Sequence, residues 1–285
     1  MGQALCRIAA DKNFDAVTLH RHDLDLLNAV ALREALMPEA YDLVINAAAY
    51  TAVDRAETEP KEAIAVNAEA QRMIAELCRE RGLPLVHFST DYVFDGRKAA
   101  PYLEDDPITP LSVYGQSKAA GEAAIRDALP RHLILRTSWV FSADGQNFVK
   151  SMLRLSHDHE RLRIVDDQRG APTSAKYLAA AVGEIAEQIA GGKEVPWGSY
   201  HLSGAPAVTW YGFAEAIFSE WQALTGESPP QLQPITTADY PTAAPRPGNS
   251  VLDCRRIEEA FGVRPGDWRA DLRKTLEILK GDRPS

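Results

Sequence analysis

The sequence predicts an α/β protein, a doubly wound parallel sheet with a smaller C-terminal part. Three observations predict it. Short apolar β-like runs alternate with helical stretches through the first half, an order that pairs strands in parallel and lays helices on both faces. A length of 285 residues suits one large domain or two ordinary ones, and 45% hydrophobic residues supply a core. After about residue 145, proline and glycine rise and the pattern loosens, as in Asp167-Gln168-Arg169-Gly170-Ala171-Pro172-Thr173.

The buried strands are expected at residues 16–19 (Ala-Val-Thr-Leu), 41–48 (Tyr-Asp-Leu-Val-Ile-Asn-Ala-Ala), 83–88 (Leu-Pro-Leu-Val-His-Phe) and 132–141. Between them, residues 61–81 place Ile64, Ala68, Ala75 and Leu77 among polar residues, a helical pattern with Gly82 as its C-cap. Residues 114–129 form a second helix, stopped by Pro130. A third covers about 175–190. Thr209 caps a helix through about 224, with Trp210, Phe213, Ile217 and Trp221 on its apolar side. Residues 226–250 carry six prolines and are expected to form an ordered loop over a site. No internal repeat or low-complexity tract interrupts the chain.

Charge narrows the partners. Thirty-one basic and forty acidic side chains leave a net charge of −9, which disfavours a nucleic acid or an anionic membrane. No apolar stretch approaches the length of a membrane span. Cys6, Cys78 and Cys254 are far apart, with no zinc or disulfide spacing. A reducing compartment is the simplest setting, and the N-terminus lacks a signal-peptide profile, so cytoplasm is the expectation.

The most informative stretch is Ser89-Thr90-Asp91-Tyr92-Val93-Phe94-Asp95-Gly96 followed by Tyr114-Gly115-Gln116-Ser117-Lys118. Four residues apart on a helix means one face, one turn up. A cation beside a phenol favours the phenolate and lowers its ordinary pKa of about 10, which suits general acid catalysis near neutral pH. Thr90 ends an apolar strand, where ligands bind in parallel sheets. The spacing alone is common, and a surface helix pair is the rival reading.

These strings, with Asn46 through Asp54, Arg136-Thr137-Ser138-Trp139-Val140, Asp167 through Thr173 and Arg246-Pro247-Gly248-Asn249-Ser250, resemble the extended short-chain dehydrogenase/reductase family, and within it the nucleotide-sugar reductases. They run in the family's order from about residue 40 to residue 253. The resemblance implies a Rossmann-type dinucleotide-binding part over 1–148 and 171–195, and a substrate-binding part over 149–170 and 196–285. It implies NAD(P)H-dependent reduction of the C4 keto group of dTDP-4-dehydro-L-rhamnose to dTDP-L-rhamnose, a step toward cell-surface polysaccharide. A homodimer is compatible with it.

Roles follow from the same resemblance. Tyr114 would give a proton to the sugar carbonyl, Thr90 would hydrogen-bond its oxygen, and Lys118 would lower the Tyr114 pKa and bind the nicotinamide ribose. Ala49, Tyr50 and Thr51 would line the cofactor. Asp25 and Leu26 match the position beside the adenine, although Asp25 fits a helix cap equally well. His20-Arg21 stand where an Arg accepts a 2′-phosphate, which favours NADPH over NADH. Asp91 and Trp139 match substrate-contacting positions, Trp139 being able to stack on a sugar face. Arg246 and Asn249 would meet the nucleotide diphosphate, and Asn67 matches an asparagine near the cofactor.

Two departures stand out. Family members open with a strand and a G-x-x-G-x-x-G turn that holds the pyrophosphate, whereas Met1-Gly2-Gln3-Ala4-Leu5 matches only the last glycine of that turn, Gly2. The expectation is a true start upstream of the recorded one. Some members bind Mg²⁺ between subunits through a glutamate two residues after that glycine; here the position is Ala4, which leaves such a site without that ligand. His157, His159 and Glu160 fall on different helix faces and are expected to be a solvated helix end.

Two alternatives remain open. Dehydratases of the family carry acidic residues after the Thr, as Thr-Asp-Glu, where this chain has Tyr92 after Asp91. A non-catalytic subunit resembling the regulatory β chain of methionine adenosyltransferase shares the fold and many of the strings.

Overall fold

Along β2, Leu85–Thr90, successive side chains point to opposite faces, and both faces are covered. Val86 packs with Leu133, Leu135, Leu178 and Val182 in one buried cluster. Leu85 packs with Ile134, Ile74, Leu77 and Ile125 in another. A strand apolar on both sides must sit inside a parallel sheet clad by helices, and the computed structural model shows that architecture. It describes residues 1–36 and 41–281, so the end of the 196–285 part lies outside the described residues.

The central sheet has four parallel strands in the order β1 (Val44–Asn46), β2, β3 (His132–Thr137) and then Gly198–His201. Register is regular, with Val86 opposite Leu133 and Thr90 opposite Thr137. One face carries the helices Ala29–Leu36, Ala70–Arg81 and Val113–Ala128. The other carries Ala175–Ala190, with Gly2–Asp11 packed beside it. The smaller part has its own core, in which Phe213, Ile217 and Trp221 of the helix Trp210–Thr225 meet Trp268, Leu272 and Leu276 of the helix Trp268–Gly281. No helix among the described residues is long and apolar enough to cross a membrane.

Caps fall where the side chains predict them. Ser112 accepts a hydrogen bond from the Gly115 N–H and starts the helix Val113–Ala128. Thr209 accepts one from Gly212, and Gly82 closes the helix Ala70–Arg81 at φ 68°, a left-handed conformation that suits glycine.

Several expected elements differ. Residues 16–19 are not a strand, and Val17 and Leu19 are exposed; without a ladder partner, an apolar run gains nothing from being extended. The 41–48 strand shrinks to Val44–Asn46. The 132–141 strand breaks into β3 and Val140–Phe141, because Trp139 takes φ 47°, which no strand accommodates. The 61–81 helix is three pieces, Pro60–Ile64, a π-turn Ala65–Glu69 and Ala70–Arg81. The proline-rich 226–250 segment contains a strand, Gln231–Ile235, parallel to Arg161–Val165.

Candidate active site

Three side chains converge where β2 ends. Thr90 is its last residue and caps the short turn after it, accepting from the Tyr92 N–H at 3.2 Å. Its hydroxyl donates to Asp91 Oδ1 at 3.0 Å. Tyr114 lies in the first turn of the next helix and hydrogen-bonds Thr90. Gly115 makes this approach feasible, since an added Cβ would stand 2.3 Å from the Tyr92 carbonyl oxygen. One turn on, Lys118 is buried, with Nζ 2.7 Å from the Phe88 carbonyl oxygen and 3.1 Å from His87 Nε2.

The electrostatics correct one expectation. Lys118 does not make Tyr114 acidic. Loss of hydration pushes the phenol up to about 12, against the Thr90 hydrogen bond that pulls it down. Lys118 itself falls to about 8, because burial penalises its charge more than Glu122 supports it. Burial likewise raises Asp91 to about 7, against the Ser250 and Thr90 hydroxyls, and its Oδ2 is buried with no hydrogen-bond partner among the described residues. In this arrangement Tyr114 is a held proton donor rather than a phenolate.

The end of β1 supplies a low wall. Tyr50 is clamped by Asn67, whose Oδ1 accepts from the Tyr50 N–H at 2.9 Å and whose Nδ2 donates to the Tyr50 carbonyl at 3.0 Å. Asn67 Nδ2 also donates to Ser117 Oγ at 2.9 Å, which ties this wall to the Tyr114 helix. Asn67 is fully buried, in the π-turn, and the Cβ an alanine would add at Gly121 meets its carbonyl oxygen at 1.9 Å. Ala49 is half-buried and Thr51 exposed, and the Tyr50 hydroxyl donates to Glu59 at 2.7 Å.

Other expected residues fall less simply. Gly2 opens the helix Gly2–Asp11, whose first N–H groups have no intrahelical acceptor. Asp25 is not the helix cap: it accepts from the Leu27 N–H, while Asn28 caps Ala29–Leu36 through Val30 and Ala31. Leu26 packs against the helix-side core. His20 and Arg21 lie at a turn with no strand before it. His157 lies in the last turn of the helix Phe148–Asp158, with His159 and Glu160 beyond it, all exposed.

The substrate-side residues are tied up more than expected. One ring face of Trp139 is covered and backbone lies close beside the ring. Trp210 stacks on it with centroids 3.5 Å apart and planes 8° from parallel, and Gly170 lies so close that a Cβ there would be 2.4 Å from Trp139 Cε2. Arg246 forks onto Asp54, Nη1 to Oδ1 at 2.9 Å and Nη2 to Oδ2 at 2.7 Å. Asn249 donates to the carbonyls of Lys98 and Ala100 at 2.7 and 3.2 Å. Both join the late loop to the sheet part; neither is aimed at open space.

Sequence reasoning assigned no role to His87, Gln71, Glu122 or Arg136. The signal was there for His87 and Arg136, polar residues inside buried strand runs. For Glu122 and Gln71, ordinary helix residues by type, there was none.

The donor set fits a reduced nicotinamide dinucleotide. Lys118 has three N–H bonds and two polar neighbours, Tyr114 lies one turn before it on the same helix, and small residues leave β1 where a flat group can approach.

Comparison with known proteins agrees with this geometry. The family model for the RmlD substrate binding domain matches residues 1–280. A dTDP-4-dehydrorhamnose reductase of Sinorhizobium fredii is 44% identical over 271 residues, covering 95% of this chain and 91% of that protein. The Escherichia coli dTDP-4-dehydrorhamnose reductase is 39% identical over 270 residues, covering 94% and 90%. Among solved structures, a dTDP-4-dehydrorhamnose reductase from Clostridium acetobutylicum superimposes with a TM-score of 0.90 at 33% identity, over 98% of this chain and 95% of that one. One from Bacillus anthracis in complex with NADP gives 0.89 at 29% identity, over 97% and 95%. The match spans sheet, site and C-terminal part together, and the chain belongs to the family of the RmlD substrate binding domain.

Proposed function

We propose that this protein reduces the C4 keto group of dTDP-4-dehydro-L-rhamnose, giving dTDP-L-rhamnose for polysaccharide synthesis. The observation that carries the reading is the convergence of Thr90, Tyr114 and Lys118 at the carboxyl end of β2, in a chain 39% to 44% identical to named reductases of that sugar.

The chemistry follows from the geometry. A nicotinamide cofactor supplies the hydride when bound. Tyr114 keeps its proton until the sugar carbonyl oxygen gains charge, then transfers it there. The Thr90 hydroxyl would turn its one proton from Asp91 Oδ1 to the same oxygen when the sugar is bound. Lys118 would donate to the ribose hydroxyls of the cofactor. Ala49, Tyr50 and Thr51 would line the nicotinamide side, Gly2 would offer helix N–H groups to a phosphate, and Asp25 and Leu26 would lie beside the adenine. Asp91, Trp139 by its edge, and the loop held by Arg246 and Asn249 face the sugar nucleotide.

NADPH is the proposed cofactor: a solved relative holds NADP, and Arg21 can meet a 2′-phosphate. The proposed division keeps 1–148 and 171–195 for the cofactor and 149–170 and 196–285 for the substrate. The experiment is cofactor oxidation with dTDP-4-dehydro-L-rhamnose, with NADPH and NADH compared. Turnover with the substrate supports the reading; binding of NADPH without turnover overturns it.

A further inference from the structure

A buried chain of amides runs beneath Lys118, and backbone groups fix its direction. Gln71 Nε2 donates to the Val66 carbonyl at 2.9 Å, which turns its Oε1 toward Asn46. Asn46 Nδ2 donates to that oxygen, and Asn46 Oδ1 accepts the Ala48 N–H at 3.0 Å. Inverting either amide would set donor against donor or oxygen against oxygen. Asn46 Nδ2 carries a second hydrogen, and His87 Nδ1 lies 3.4 Å from it. Burial, helped by the Lys118 charge, keeps His87 neutral. A neutral imidazole has one donor nitrogen and one acceptor. Nδ1 faces an amide N–H and is therefore the acceptor, so the ring proton sits on Nε2, 3.1 Å from Lys118 Nζ. An ammonium has no lone pair to receive it; a neutral amine has one.

We propose that His87 carries its proton on Nε2 and is a positioning residue that stabilises the neutral amine form of Lys118. When Lys118 releases a proton to solvent, its lone pair accepts from His87 Nε2 while an N–H still donates to the Phe88 carbonyl. The other groups facing the pair are few. Glu122, one turn along the same helix, favours the ammonium. It is largely neutralised by Arg136 on β3 and Arg126 on its own helix. The Ala65–Glu69 turn and the helix Ala70–Arg81 present the neutral amides Asn67 and Gln71. Burial and His87 thus act in one direction, and Lys118 at about 8 can exchange its proton near working pH. The tautomer belongs to the cofactor-free protein; only its catalytic consequence rests on the reductase reading.

The test is the tautomer itself. The full chain, labelled with ¹⁵N-histidine and free of cofactor, gives ring nitrogen–proton correlations that distinguish Nδ1–H from Nε2–H, and His87→Gln assigns the His87 signals among the seven histidines. The Nε2–H form is expected above about pH 8, where Lys118 is the neutral amine; the Nδ1–H form there overturns the proposal. A second readout uses His87→Gln, whose side chain can offer an oxygen to Lys118. Its pH dependence of NADPH affinity should move up by about one unit, the scale of one hydrogen bond to a charged group. An unmoved or lowered profile overturns the proposal. A wild-type protein that binds NADPH but leaves the keto sugar untouched sinks the reductase reading alone, because spectrum and binding curve still judge His87.

Discussion

Arg136 and Glu122 form a forked ion pair sealed from solvent. Arg136 Nε meets Glu122 Oε1 at 2.9 Å and Nη2 meets Oε2 at 2.8 Å, with 1% and 0% of the two side chains exposed. Ser89 Oγ donates to the same carboxylate at 2.6 Å, so β2, β3 and the Tyr114 helix are joined one turn behind Lys118. Breaking one partner strands a buried charge.

Glu122→Gln should therefore lose about 3–5 kcal/mol of unfolding free energy, read from urea midpoints. Burial works to raise the Glu122 carboxyl, but Arg136 holds it below its ordinary range. A depressed acid contributes stability that is whole above its unfolded value, about 4.3, and is lost as pH falls through the folded one. Wild type should lose that contribution below about pH 4, and Glu122→Gln should not.

Asp91 has the opposite sign. Its folded pKa, raised to about 7 by burial, lies above the unfolded value of about 3.9, so the native state binds the extra proton and stability falls as pH rises between the two. Asp91→Asn should gain on wild type across that interval by about 1–3 kcal/mol, the cost of a buried group left unsatisfied. Thermal unfolding at pH 4 and pH 8 checks it; a constant difference would count against a protonated Asp91.

Tyr114→Phe removes the proton donor and little else. A fall in kcat of about 10²–10⁴ is expected, with NADPH affinity changed only a few-fold. An unchanged kcat would take Tyr114 out of the mechanism.

Gly170→Ala drives a methyl into the Trp139 indole, 2.4 Å from Cε2. Trp210 is stacked on the same ring, which limits how far the indole can shift. A loss of about 1–3 kcal/mol is expected, together with a higher KM for the nucleotide sugar. NADPH affinity should hold, because Trp139 lies in the loop that follows β3 rather than beside β1.

Legibility followed locality. The Tyr114 helix, its Pro130 stop and the Gly82 cap depend on short spacings and were readable. So was the gathering of Thr90 and Tyr114, because a strand end and the following helix start are neighbours in any parallel sheet. Residues 16–19 look like a strand by composition, yet a strand exists only with a partner to pair with. Trp139 looked available for stacking because a sequence does not show which ring faces its neighbours cover.

The sequence by itself determined the alternating fold, the hydroxyl–phenol–amine series at 90, 114 and 118, and the family. Periodicity and short motifs suffice for these, since they act over a few residues. Only the tertiary structure decided the charges: that Tyr114 is raised rather than lowered, that burial raises Asp91, and that Lys118 faces His87. A pKa depends on burial and on partners distant in sequence, such as Asn46 and Gln71 at the far end of a polar chain, and folding alone brings those together.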